Sequence, residues 1–82
     1  MNKTKIPEPV LQSFEYFTER FGGRVVYAGE APDGGGSVYN YEAPSDVDIG
    51  FPEVRLWTPD NVVVAFDGYD ALDLLQSVSK NS

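Results

Sequence analysis

Apolar residues fall on both sides of the strands that this chain predicts. One alternating set reads Val26, Val54, Leu56, Val62, Val64 and Phe66; the other reads Val25, Tyr27, Tyr39, Tyr41, Trp57, Val63 and Ala65. Successive side chains of a strand point to opposite faces, so the two sets line opposite faces of a sheet. The first set suits a core beneath helices. The second is rich in aromatic rings and still needs a cover.

A different period marks the helices. Val10, Leu11, Phe14, Phe17 and Phe21 recur at steps of one, three and four residues and form one apolar stripe, which predicts a helix over Glu8–Phe21. Pro7 and Pro9 suit its first turn, where an N–H would lack a partner anyway, and Glu8 favours the positive helix start. Gly22 can take the positive φ that ends it. A second stripe, Ala71, Leu72, Leu74, Leu75 and Val78, predicts a helix over Tyr69–Ser79, with Asp67 placed to cap it and Asp70 three residues on. Asp70 and Asp73 point outward.

Between the helices the pattern predicts four strands. Arg24–Ala28 is the first, Gly29–Gly36 a loop with the turn-forming pair Asp33-Gly34, and Ser37–Glu42 the second strand. The third runs from Phe51 to Thr58, with Pro52 confined to its start or to an edge because it cannot donate to a ladder. Thr58-Pro59-Asp60-Asn61 then predicts a three-residue hairpin, with Pro and Asp in a type I turn and Asn61 left-handed. That turn sets Trp57 opposite Val63, Leu56 opposite Val64 and Val54 opposite Phe66. A two-residue turn would set Arg55 against Val64 and Glu53 against Phe66, placing charges on the core face.

The order is therefore α-β-β-β-β-α, an α+β domain. The simplest arrangement is a four-stranded antiparallel meander with both helices packed on one face, leaving the aromatic face open. Eighty-two residues fit a single domain. Residues 1–6 and 80–82 are expected to be disordered. A chain this short buries only about 60–65% of the surface its unfolded form exposes, so it folds with little margin.

Composition narrows the chemistry. With no cysteine there is neither a disulfide nor a thiolate metal site, and with no histidine the commonest acid–base residue near neutral pH is missing. A net charge of -7 opposes binding to nucleic acid or an anionic membrane. No apolar run reaches the roughly 20 residues of a membrane span, and the N-terminus lacks the apolar stretch of a secretory signal, so a cytoplasmic location is expected.

Few constellations could carry catalysis. Asp46 and Asp48, two residues apart, with Glu53 nearby, are the weak candidates for calcium or magnesium, but the spacing misses the EF-hand pattern. Gly34-Gly35-Gly36 lacks the lysine and the following helix of a phosphate loop, and Ser37 after it begins a strand. No serine has a histidine to activate it. The expectation is a protein that is not an enzyme and carries no cofactor.

The aromatic face points to binding. Base stacking would need a positive surround, whereas Glu30, Glu42 and Glu53 flank the sheet. Tyr, Trp and Arg are preferred interface anchors, which singles out Tyr27, Tyr39, Tyr41, Arg55, Trp57 and Val63 as partner-binding residues. The expected function is a non-catalytic protein-binding module, with a protein partner or a second copy in a homodimer. The alternative is a small acidic inhibitor, of the kind phages and mobile elements carry, that occupies the basic, nucleic-acid-binding groove of a target. That second function requires carboxylates lining one surface.

Overall fold

Pro7 holds extended backbone (φ -60°, ψ 143°) and starts α1, Glu8–Ser13, with Pro9 in its first turn. A second segment, α2, spans Glu15–Phe21. The computed structural model, which describes residues 6–78, thus breaks the single helix expected over Glu8–Phe21. The break lies at Phe14, whose φ of -105° and ψ of 3° leave the helical range. Here the Phe14 N–H reaches the Leu11 carbonyl and the Phe17 N–H reaches that of Phe14, each three residues back. That tightening spares the Ser13 carbonyl for another donor.

Gly22, at φ 86°, ends α2, as its freedom from a Cβ allows. Four strands follow, β1 (Arg24–Glu30), β2 (Ser37–Glu42), β3 (Val54–Trp57) and β4 (Val63–Phe66), then α3 (Gly68–Ser77). A single 3₁₀ turn, Pro32–Gly34, sits between β1 and β2. The sheet is a four-stranded antiparallel meander in the order β1-β2-β3-β4. β3 is shorter than expected and begins after Pro52 and Glu53.

The β3–β4 hairpin closes in the expected register, with Trp57 opposite Val63, Leu56 opposite Val64 and Val54 opposite Phe66. Asn61 takes φ 65°, and the Thr58 N–H bonds the Val62 carbonyl at 2.9 Å. Asp67 precedes α3 in extended backbone but makes no side-chain cap bond. The expected capping box is not formed.

The expectation that both helices share one face is corrected. α1 and α2 lie on the aromatic face, where Val10 and Phe14 pack with Val25, Tyr39 and Tyr41. α3 lies on the other face, where Ala71 and Val78 pack with Val38 and Val54, flanked by Leu56, Phe66, Leu74 and Leu75. The sheet is therefore the middle layer, with one core on each side. Each stripe buries about 1.5–3 kcal/mol per large apolar side chain, and two thin cores share that gain.

Ile6, expected in a disordered end, packs against the N-terminal core. The expected disorder at residues 1–5 and 80–82 and the expected helix end at Ser79 lie outside the described residues. No described helix is long and apolar enough to cross a membrane.

Candidate functional site

The register sorts the aromatic face into cross-strand rows. Tyr27, Tyr39, Arg55 and Ala65 form one row; Glu30, Ser37, Trp57 and Val63 form the next, at the end of the sheet where the loops meet. The helical layer covers the middle of the first row and leaves its ends, Tyr27 and Ala65, exposed. Tyr39 is 6%, Tyr41 3% and Arg55 7% exposed. These three were expected to touch a partner; instead they are interior groups.

Each of the buried polar side chains has a structural task. The Tyr41 hydroxyl donates to the Gly22 carbonyl at 2.7 Å, and its ring lies 5.4 Å from that of Phe17. The Arg55 guanidinium sits 4.5 Å above the Phe14 ring. It donates to the spared Ser13 carbonyl at 3.2 Å and the Val54 carbonyl at 3.0 Å, and pairs with Glu53 at 3.4 Å. Arg55 therefore fastens the helix break to the sheet. A face-to-face dimer through this surface would have to displace α1 and α2.

The second row is only partly covered: Trp57 and Val63 are half-buried at the edge of that core, and beside them in the first row Tyr27, on the edge strand, is 48% exposed. Glu30, Gly34, Gly36, Ser37, Trp57, Thr58, Pro59 and Asn61 enclose an open cleft of about 370 Å³ between the β1–β2 loop and the β3–β4 turn. Gly36 is required here. At φ 128° its backbone lies against Trp57, and a Cβ would collide with the Trp57 carbonyl oxygen.

Two groups in the cleft are held in place. The Trp57 indole N–H donates to Asn61 Oδ1 at 2.8 Å. The Glu30 carboxylate accepts from the Tyr27 hydroxyl and from Ser37 Oγ, the latter at 2.9 Å. Both bonds end on Oε2. The hydrogen bond to Glu30, with smaller contributions from burial and from the negative charge itself, pushes the Tyr27 phenol up to about 12. Burial, then the Glu30 charge, raises the neighbouring Tyr39 as well.

The weak metal candidates do not converge. Asp48 accepts the Gly50 N–H at 2.9 Å in a local turn, and Glu53 is engaged by Arg55. Among the described residues no three Asp or Glu side chains come together as a metal would need. Exposed carboxylates stand on both helical layers, as Glu15 and Glu19 on α2 and Asp70 and Asp73 on α3, and on loops at both ends of the sheet. They do not line one surface.

No family model matches this sequence, and neither a curated protein nor a solved structure matches it. The site must be read from its own chemistry. Trp57, Tyr27 and Val63 were legible from strand alternation. Glu30 was not. The ladder shifts by one residue between Tyr27 and Gly29, which turns Glu30 onto the aromatic side, opposite Ser37.

Proposed function

We propose that this protein is a non-catalytic binding module whose contact surface is the loop end of the aromatic face. One observation carries this reading: an indole and a carboxylate stand at the mouth of an open cleft, each held by hydrogen bonds. Groups fixed before a partner arrives lose less conformational freedom on binding. The cleft lining has no histidine, cysteine or lysine, so it offers no activated nucleophile or ordinary acid–base pair. The surface is smaller than the whole aromatic face, because α1 and α2 occupy the rest. An inhibitor filling a long basic groove finds less support, since the carboxylates are spread over several surfaces.

Site-directed photo-crosslinking tests the reading in cells of the source organism. A photoreactive residue at Pro59, in the cleft wall, should give a discrete protein adduct; the same residue at Gln76, on the exposed side of α3, should not. No adduct at Pro59, or the same adducts at both positions, would overturn it.

A further inference from the structure

We infer that the cleft receives a cationic side chain, the guanidinium of arginine or the ammonium of lysine, from a peptide segment of the partner. This inference rests on the binding-module reading and names the chemistry of its occupant.

Charge complementarity argues it first. Glu30 is exposed at the cleft, and both of its internal hydrogen bonds use Oε2, so neither occupies Oε1. No lysine or arginine lines the cleft. The arginines with ion-pair partners lie elsewhere, Arg24 with Glu42 and Arg55 with Glu53. Asp33, in the 3₁₀ turn, and Asp60, in the hairpin turn, add exposed negative charge on the two loops that bound the opening. The carboxylate therefore stands in a locally negative field with no counter-ion supplied by the lining.

The indole selects what kind of cation suits. The single N–H of Trp57 is already committed to Asn61, so the ring offers a partner its π surface and apolar edge rather than a donor. A cation beside an indole is attracted by the ring quadrupole, and a charge-assisted hydrogen bond to Glu30 adds direction. The aliphatic stem of arginine or lysine can lie against the same ring. Phosphate-bearing ligands fail both tests, because they meet Glu30, Asp33 and Asp60 with like charge.

The glycines shape the entrance. Gly34 and Gly36 are in the lining, and a side chain at position 36 could not coexist with the Trp57 carbonyl. A glycine-rich loop with no basic residue thus keeps the wall beside the indole low. The occupant is one extended side chain rather than a helix or a folded surface, since the cleft measures only about 370 Å³.

The lone tryptophan makes the test direct, because its indole N–H gives a single resonance for the whole chain. The probes are capped tripeptides Gly-Arg-Gly and Gly-Lys-Gly, with Gly-citrulline-Gly as the uncharged mimic of arginine. Either cationic peptide should shift the Trp57 indole and the Gly34–Gly36 amides saturably, with the citrulline peptide at least about tenfold weaker, the scale of one charge-assisted bond. Glu30→Gln keeps an acceptor for Tyr27 and Ser37 and should weaken the cationic peptide by a similar factor. Binding should also fall as salt rises. Equal binding of citrulline, indifference to Glu30→Gln, or no shift at millimolar arginine or lysine peptide would overturn the inference. If those results came with a discrete adduct at Pro59, the binding-module reading would stand and only the cationic occupant would fall.

Discussion

Beneath α3 the sheet presents Val38, Val54, Leu56 and Phe66, and the helix answers with Ala71, Leu74 and Leu75. Beneath α1 and α2 it presents Val25, Tyr39, Tyr41 and a buried arginine, answered by Val10, Phe14 and Phe17. The first interface is mainly aliphatic and, among the described residues, shows no hydrogen bond from helix to strand. The second is aromatic and is pinned at two points, Tyr41 to the Gly22 carbonyl and Arg55 to the Ser13 carbonyl. Small aliphatic groups can be buried with no further condition, whereas a buried phenol or guanidinium must find acceptors. The aromatic layer therefore depends on backbone carbonyls in the right places, and the break at Phe14 supplies one of them.

Removing the stronger pin should separate the two layers most sharply. Arg55→Met keeps an apolar stem above Phe14 but loses the bonds to Ser13 and Val54 and leaves Glu53 without its cation. A loss of about 2–3 kcal/mol is expected in denaturant unfolding. Glu53 retains some solvent access (its side chain is 22% exposed), which keeps the effect below that of a fully buried pair. Against a net stability of about 4–12 kcal/mol for a chain of this length, that is a large share. A loss under about 1 kcal/mol would mean that packing alone holds the aromatic layer, as it does the aliphatic one.

The aliphatic side has the opposite weakness. Asn40 lies between Val26 and Val54 on that face, and its Oδ1 is buried without a hydrogen-bond partner. Asn40→Val removes the unpaired acceptor and suits a strand between β-branched neighbours. A gain of about 1 kcal/mol is expected in the same unfolding experiment. A loss instead would show that Asn40 is satisfied by water, and that the α3 face is wetter than its side chains imply.

Local pattern carried the strands and the β3–β4 register, which depend on neighbours in sequence, whereas the meander was only the simplest way to join four such strands. Thr58-Pro59-Asp60-Asn61 allowed only one turn that kept Arg55 and Glu53 off the aliphatic face. Which helix covers which face was a tertiary choice that neither stripe dictated by its period. Composition did hold a hint, since the stripe of Phe14, Phe17 and Phe21 meets the aromatic face, and the leucine-rich stripe of α3 meets the valines. Tyr39, Tyr41 and Arg55 suit an exposed patch by residue type, because large polar-tipped side chains favour interfaces. They suit a core equally well once acceptors such as the Gly22 and Ser13 carbonyls are present. In the cleft, Trp57 followed from alternation, but Glu30 depended on a bulge that only Gly29, at φ 142°, marks within β1.

Tyr27 and Tyr39 mark the line where the aromatic face passes from open to covered, and their phenols offer the finest test. Their rings lie 5.6 Å apart, and both hold their protons more tightly than a free tyrosine. The causes differ. Tyr27 is raised chiefly by its hydrogen bond to Glu30, and Tyr39 chiefly by burial. A phenol whose folded pKa lies above its unfolded value of 10.0 favours the fold fully below that pH, and the contribution fades as pH rises through about 12. Glu30→Gln keeps an acceptor but removes the charge, so the Tyr27 titration, followed at its own ring-carbon resonances, should fall part of the way toward 10.0, while Tyr39, raised chiefly by burial, stays raised. The alkaline loss of stability between pH 10.0 and about 12 should then shrink, by a small amount because Tyr27 is 48% exposed. If the two rings moved together in Glu30→Gln, one electrostatic environment would govern both, and no boundary would separate the covered and open parts of the face.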